Sequence, residues 1–206
     1  ILGTNRFLFS ECSTSQMKVH LEKFQISSVV ILGGFEALIS CCEMSEATGI
    51  PIICIPATVS NNIPGSEFSI GSDSALNVIV EACDKLKQSA ASYHNRVFLL
   101  EVQGGKCGYL ATLGALGGGA SLSHIAEEPV TLATLQKDVV HLKQRFVEDR
   151  KQGRVIVKNE CSSETFSSQV TASILQSEAE GTFDVRCCVL GHLQQGGSPS
   201  PLDRLF

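Results

Sequence analysis

The segment PATVSNNIPG, residues 56–65, follows an apolar run at the point where a buried strand is expected to end. Ligand sites of α/β proteins lie at that edge of the sheet. The polar side chains of its first half are Thr58, Ser60, Asn61 and Asn62, which carry hydroxyls and amides but no carboxylate, imidazole or amine. They can donate hydrogen bonds to an anion, but none is an effective base near neutral pH. The segment therefore predicts binding without proton transfer.

Three Gly-Gly pairs also follow predicted strands, at Gly33-Gly34, Gly104-Gly105 and Gly196-Gly197. Glycine lets the backbone approach a phosphate closely, and a following helix offers unsatisfied N–H groups. A single pair is more often only a tight turn, but three in one chain favour anionic ligands. None fits the P-loop or the dinucleotide-binding fingerprint, because the spacing and the Lys-Ser/Thr are missing.

Charged side chains are the second indication of an anionic ligand. Arg6, Arg96 and Arg186 stand near strand starts or in loops, and a guanidinium offers a fixed fork for phosphate oxygens. His192 follows a predicted strand, where an imidazole can donate to phosphate or titrate. Glu160 ends another strand and can accept a sugar hydroxyl proton or cap a helix. A solvated arginine and a structural histidine are the ordinary alternatives, and spacing alone does not choose between them.

Short β-branched runs alternate with helix-like segments along the chain. The predicted strands are 28–32, 50–55, 96–102, 122–125, 154–158 and 185–190. One predicted helix begins at residue 35, and four others span 72–91, 107–116, 132–151 and 167–178. Such alternation indicates βαβ units and a mostly parallel sheet covered on both faces. The sequence therefore predicts a doubly wound α/β fold.

Composition limits the classes of partner. The 206 residues carry a net charge of −5, which argues against nucleic acid or an anionic membrane as the main partner. The longest apolar run is interrupted by Pro51 and Pro56 and is too short to span a bilayer. Nine cysteines without C-x-x-C spacing indicate reduced thiols in a cytoplasmic protein. Because the chain opens at Ile1 and stops at Phe206, it is expected to be a segment of a longer protein.

The chain resembles the 6-phosphofructokinases in five collinear segments: GGFEA (33–37), PATVSNNIPGSEFSIGSDSALN (56–77), RVFLLEVQGGKCGYLA (96–111), IAEEP (125–129) and GHLQQGGSPSPLDR (191–204). Within this family it is most similar to the C-terminal half of the eukaryotic enzyme, whose subunit is a duplicated pair of bacterial-type halves. The resemblance implies two doubly wound lobes. Residues 1–71 would form part of a large lobe without its opening strand, 72–193 a small lobe, and 194–206 a return to the large lobe.

Departures from the family's catalytic pattern imply that this half performs no chemistry. In catalytic halves, the segment that corresponds to residues 33–37 is similar to GGDGS, whose aspartate helps to hold magnesium and ATP. Here Phe35 and Glu36 stand at the Asp-Gly positions. Catalytic halves also carry TIDND, with an aspartate as base, but Ser60 and Asn62 replace the two aspartates. We therefore expect no catalytic residue and no metal ligand in this segment. Mg²⁺ and ATP would belong to the catalytic half, and the segment alone is expected to be inactive.

The resemblance implies that the former substrate site of this half binds fructose 2,6-bisphosphate, an activator. Arg6 would contact phosphate, Arg96 and Arg186 would reach a neighbouring subunit's site, and Glu160 would accept a sugar hydroxyl. Gln103 replaces a methionine, which can alter sugar packing or add a hydrogen bond. A further basic residue of the family's site would lie beyond position 206. The complete expected set is Arg6, Thr58, Val59, Ser60, Asn61, Asn62, Arg96, Gln103, Gly104, Gly105, Glu160, Arg186, His192, Leu193, Gln194 and Gln195.

The same resemblance implies partners for the segment. These are the N-terminal catalytic half of the same polypeptide and the other subunits of a homo- or hetero-tetramer, in a glycolytic, cytoplasmic enzyme. Nucleic acid and membrane are not expected partners. Two alternatives stay open: a half that retains kinase activity through another base, and a half that only scaffolds the tetramer.

Overall fold

The computed structural model describes Phe9, residues 13–148 and residues 153–206. The chain forms two compact units. The first comprises Ile1–Thr58 and Asn62–Ile70, and the second comprises Val59–Asn61 and Gly71–Phe206. Residues 194–206 group with the second unit here, and their expected return to a large lobe in the longer protein stays a prediction.

The first unit contains a parallel pair of strands. Its elements are α1 Thr14–Lys23, β1 Val29–Gly33, α2 Phe35–Thr48 and β2 Ile52–Pro56. The register runs from Val29 opposite Ile52 to Gly33 opposite Pro56. Apolar periodicity does not predict α1, because Leu21 is the buried residue of an otherwise polar helix.

The second unit contains a four-stranded sheet in the order β4-β5-β3-β6, with every pair parallel. A 3₁₀ turn at Gly191–Gln195 follows the last strand. The regular elements are α3 Ser72–Ala91, β3 Arg96–Val102, α4 Tyr109–Gly117, β4 Leu122–His124, α5 Leu132–Glu148, β5 Arg154–Asn159, α6 Ser168–Glu178, β6 Asp184–Val189 and α7 Pro201–Leu205.

Helices cover both faces of the second unit's sheet. Successive residues of β3 point to opposite faces, so Leu99 packs with α5 and α6 while Leu100 packs with α3 and α4. Each residue of β5 is buried, which explains the apolar residues 155–157 at its centre. Within the described ranges, no helix combines the length and apolar character that a bilayer crossing needs. The cysteines of the described ranges are free thiols.

Asp203 caps helix α3 from the end of the chain. Gly71, the N-cap residue, has no side chain to cap the helix, and its N–H donates to Asp203 Oδ1 at 2.7 Å. The Ser74 N–H donates to Asp203 Oδ2 at 2.8 Å. Burial alone would raise the pKa of Asp203, but hydrogen bonds from Ser74, Gly71 and Ser200 outweigh it and hold the pKa below its usual range.

We predict that Asp203→Asn lowers the local free energy of opening at the start of α3 by roughly 2 kcal/mol at neutral pH. Native-state hydrogen exchange of the Gly71 and Ser74 amides measures this free energy of opening. Because the folded pKa is lowered, the carboxylate stabilises the helix above its ordinary pKa and loses that effect as the pH falls through the folded value. The difference between wild type and variant should therefore shrink in acid. Asp73→Asn, which removes a charge from the same turn, is the control; an equal loss there would contradict the capping role.

Candidate functional site

A glycine turn with positive φ angles follows the central strand β3. Gly104 has φ +146° and Gly105 has φ +54°, both in the region that favours glycine. A Cβ atom on Gly104 would lie 2.8 Å from both Asn159 Nδ2 and Cys107 O, whereas one on Gly105 would meet nothing within 4 Å. Asn159 Nδ2 donates to Cys107 O at 3.0 Å, so Asn159 joins the turn to the end of β5. The sequence did not single out Asn159, a buried polar residue that ends an apolar strand.

The carboxylate of Glu160 lies against this turn. The N–H groups of Gly104 and Gly105 donate to Glu160 Oε1 at 3.2 Å and 3.0 Å. Strand pairing brings these residues together, since Val102 lies opposite Asn159 and the Glu160 N–H donates to Val102 O at 2.9 Å. Two convergent backbone N–H groups form an anion-binding pair. The structure therefore joins three residues of the expected site: Gly104, Gly105 and Glu160.

Two glutamines of the 3₁₀ turn hold the residue before the glycines. The Gln103 N–H donates to Gln194 Oε1 at 2.9 Å, and Gln195 Nε2 donates to Gln103 Oε1 at 3.0 Å. Gln194 is 2% exposed. The hydrogen bond that Gln103 adds in place of methionine is thus directed to Gln195. The structure joins Gln103, Gln194 and Gln195 at the same end of β3 as the glycine turn.

His192 and Leu193 share the 3₁₀ turn but project into solvent. Leu193 is 71% exposed, and no hydrogen bond to the His192 ring occurs among the described residues. Both therefore lie near the expected site without a contact that fixes them to it. Their roles toward a ligand stay predictions.

Arg96 and Arg186 lie at the opposite end of the sheet. Arg96 Nε and Nη2 lie 3.1 Å and 3.0 Å from Asp184 Oδ2, and Arg186 Nε lies 3.2 Å from the same oxygen. The Arg96 guanidinium also covers the Tyr93 ring, 3.7 Å from its centroid. Because β3 rises ~3.3 Å per residue, Arg96 is about 20 Å from Val102, where β3 ends before the glycine turn. The two arginines therefore do not join the glycine turn within one chain, and their reach to a neighbouring subunit stays a prediction.

Residues 56–62 divide between the two units. In the first unit, Ser69 Oγ donates to Thr58 O at 2.6 Å, and Asn62 belongs to the same unit. In the second unit, Val59 packs against the core cluster on the α3/α4 face. Asn61 has φ +50°, and Cys107 Sγ lies 3.9 Å from its carbonyl oxygen.

The second unit thus places the Asn61 backbone beside Cys107, which follows the glycine turn. Ser60 belongs to the same unit. Arg6 of the expected site lies outside the described residues. Phe35 and Glu36 begin α2 in the first unit.

A cavity of about 910 Å³ adjoins Glu160 in the second unit. Its wall is mainly apolar, with Val130 and Phe166 among its residues, and it also includes Lys106 and the Cys161 segment. A volume of this size accommodates a small-molecule ligand or a moving side chain. The sequence did not predict this cavity, because its wall comes from the turns before α5 and α6.

Ionisable residues lie beneath this end of the sheet: His124 and Lys158 are buried, and Glu101 is half-buried. His124, Lys158 and Glu101 lie side by side in the registers of β4, β5 and β3. Lys158 is 0% exposed, and burial lowers its pKa while the Glu101 carboxylate opposes that shift. His124 Nε2 lies 2.8 Å from Asp138 Oδ2 on α5, and Ser168 Oγ donates to Glu101 Oε2. These contacts tie the sheet to α5 and α6.

In the part of the chain that the structure describes, no group of three or more His, Cys, Asp or Glu side chains is arranged to hold a metal ion. The glycine turn, Glu160 and the glutamines instead offer hydrogen-bond donors and acceptors. Such an arrangement can bind an anion and orient it. The described contacts of these residues include no base and nucleophile pair.

A family model described as Phosphofructokinase matches residues 1–206. The subunit beta of ATP-dependent 6-phosphofructokinase from Komagataella phaffii is 44% identical over 99% of this chain and 23% of its own length. The muscle-type ATP-dependent 6-phosphofructokinase from Sus scrofa is 46% identical over 100% of this chain and 27% of its own length. The chain spans about a quarter of the length of these relatives.

Solved structures confirm the expected fold. The crystal structure of Pichia pastoris phosphofructokinase in the T-state matches with a TM-score of 0.94 at 43% identity, covering 98% of this chain and 24% of that one. The pyrophosphate-dependent phosphofructokinase from Marinobacter aquaeolei matches with a TM-score of 0.76 at 22% identity, covering 98% of this chain and 53% of that one, and this likeness shows the fold alone. The predicted phosphofructokinase-like α/β fold, with parallel sheets flanked by helices, is confirmed.

Proposed function

The chain belongs to the phosphofructokinase family, and we propose that it is the C-terminal, regulatory half of a eukaryotic ATP-dependent 6-phosphofructokinase subunit. The observation that carries this proposal is the pair of Gly104 and Gly105 N–H groups, which converge on one anion position. The neutral side chains of Ser60 and Asn62 support it, because they stand at the positions of the two aspartates in the TIDND motif of catalytic halves. The complete polypeptide would transfer the γ-phosphate of ATP to fructose 6-phosphate, with Mg²⁺, in its other half.

The proposed ligand of this half is fructose 2,6-bisphosphate. The backbone N–H groups of Gly104 and Gly105, which converge on Glu160 Oε1 in the structure, would donate to one phosphate, and the amide of Gln195, oriented by Gln103, would supply a further donor. The His192 imidazole is exposed on the same 3₁₀ turn and can donate as well. These groups bind and orient the ligand.

The same residues give no route to phosphoryl transfer. A neutral serine is a poor general base near neutral pH, and loss of a base alone typically lowers the rate by ~10²–10⁴. Phe35 stands where the family's metal-holding aspartate is expected, so magnesium would lose a ligand too. The absence of carboxylates also relieves repulsion between the loop and two phosphates. The half therefore holds its ligand without turning it over.

The arginines extend the proposal to other subunits of a cytoplasmic tetramer. Arg96 and Arg186 share the single carboxylate oxygen Asp184 Oδ2. A phosphate of a neighbouring subunit's ligand offers more acceptor oxygens than that one atom. If one quaternary arrangement brings the arginines to the phosphate and another does not, the ligand favours the first. This supplies a coupling between effector and catalytic half.

Calorimetric titration of the complete polypeptide with fructose 2,6-bisphosphate tests the proposal. Saturable binding is expected, and Arg96→Ala or Arg186→Ala should each weaken it by roughly 10-fold, the loss of one charge-assisted contact. Arg145→Ala is the matched control, because Arg145 is paired with Glu148 on the exposed face of α5. No binding by the wild type, or equal losses in all three variants, would contradict the proposed function.

A further inference from the structure

Two cysteines of the first unit belong to elements that pack on each other, Cys41 in α2 and Cys54 in β2. Cys41 is 6% exposed and is, with Met44, a buried residue of the helix. Cys54 is half-buried and lies opposite Ile31 of β1. Successive residues of a strand point to opposite faces, and the neighbouring Ile53 is 60% exposed. Cys54 therefore points to the other face of the strand pair.

The close approach of α2 to β1 places Cys41 over the same face. A Cβ atom on Gly33 would lie 2.4 Å from the Ala37 Cβ, so α2 packs on the face to which Ile31, two residues earlier, also points. Ala37 and Cys41 are four residues apart and share one side of the helix. Because α2 connects two parallel strands, it runs back along them, and one helical turn of ~5.4 Å covers about two strand residues. Cys41 therefore lies over Ile31 and its strand partner Cys54.

The two thiols are in contact. Burial, and then a hydrogen bond with the Cys54 side chain, raises the pKa of Cys41 to about 12. Both cysteines are free thiols in the structure. We propose that Cys41 and Cys54 form a modification site, at which a peroxide converts the two thiols into a disulfide that joins α2 to β2. The bond forms whether or not the half binds fructose 2,6-bisphosphate.

The order of the two steps follows from exposure. Cys41 is buried and stays protonated near neutral pH because its pKa is raised, so the half-buried Cys54 reacts first. Its thiol takes one oxygen atom from hydrogen peroxide, which gives a sulfenic acid and one water. The Cys41 sulfur then attacks the Cys54 sulfur, the S–S bond forms, and the leaving hydroxide takes the Cys41 proton as a second water. The two thiols together lose two electrons, and the peroxide gains them.

The disulfide would stabilise the frame from which residues 56–62 begin. It closes a ring of residues 41–54, and a ring of this length lowers the population of the opened state by about 100-fold. Both joined elements contact the start of that loop. A Cβ atom on Gly34, the N-cap residue of α2, would lie 3.4 Å from the Thr58 Cβ, and the Ala57 N–H donates to Gly33 O at 2.8 Å. Oxidation would therefore fix both sides of Thr58 without altering any residue of the loop.

Peptide mapping of the complete polypeptide tests the pair. The protein is treated with hydrogen peroxide, its remaining thiols are blocked, and it is digested with a protease that cleaves after glutamate. Cleavage separates residues 37–43, which hold Cys41 and Cys42, from residues 47–67, which hold Cys54. Mass spectrometry should find these two peptides linked after oxidation and separate after reduction with a dithiol. The link should persist in Cys42→Ser, the matched control on the exposed side of α2, and be absent in Cys41→Ala and Cys54→Val.

Hydrogen exchange of the β2 amides measures the effect on the first unit. In the wild type, peroxide should slow opening by about 100-fold, and a dithiol should reverse the change. Cys54→Val keeps a β-branched apolar side chain in the strand and should show no response to peroxide. Unlinked peptides in the oxidised wild type, with Cys54 carried on to a sulfinic acid, would overturn the inference. Loss of the link in Cys42→Ser would also overturn it, because the bond would then belong to Cys42.

Discussion

Gly104→Ala is expected to weaken binding of fructose 2,6-bisphosphate to the complete polypeptide by about 100-fold, as loss of two charge-assisted hydrogen bonds requires. The new Cβ would lie 2.8 Å from Cys107 O, a backbone atom, so the turn itself must shift. A φ of +146° adds backbone strain for any residue with a side chain. The N–H groups of Gly104 and Gly105 then no longer converge. Isothermal titration calorimetry measures the loss.

Gly105→Ala is the matched control for this prediction. A Cβ there would meet no atom within 4 Å, and φ +54° is a left-handed conformation that alanine adopts at about 1–2 kcal/mol. The direction of both N–H groups is retained. We therefore expect its affinity to stay within about 3-fold of the wild type. Equal affinities of the two variants would show that the turn does not bind the phosphate.

Ser60→Asp is expected to weaken binding of the same ligand by about 10-fold, because a carboxylate would face its phosphates. The loss should shrink as salt concentration rises, because salt screens the repulsion. Calorimetry at low and high ionic strength measures the loss and its dependence on salt.

A neutral substitution at the same position separates charge from shape. Ser60→Asn keeps a hydrogen-bond donor and adds no charge, so we expect a loss below about 3-fold that does not depend on salt. Unchanged affinity of Ser60→Asp would contradict the proposal that this position favours a bisphosphate because it carries no carboxylate.

Several elements could be read from the sequence because local signals agree there. Helix α3 spans Ser72–Ala91, as its long amphipathic pattern predicts, and β3 spans Arg96–Val102 between a charged start and the Gly-Gly pair. The polar helix α1 was missed because its apolar content is low. Patterns thus identified the elements that contribute most to a core.

The sequence predicts which residue types form the site, but not which of these residues contact one another. Gly104 and Glu160 end neighbouring parallel strands, which places them at one sheet edge, but the register that puts Glu160 on the glycine N–H groups is a tertiary property. Asp184, which holds both Arg96 and Arg186, gave no motif. Lys158 is a charge within an apolar strand, and its neighbours come from separate elements. Sequence reasoning therefore identified the candidate donors without the groups that orient or occupy them.

A structure of the complete polypeptide with fructose 2,6-bisphosphate is the most direct test of the central claim, that this half binds the bisphosphate at the glycine turn without chemistry. We predict an intact ligand with a phosphate oxygen about 3 Å from the Gly104 and Gly105 nitrogens. A saturating ligand bound away from the glycine turn would contradict the account.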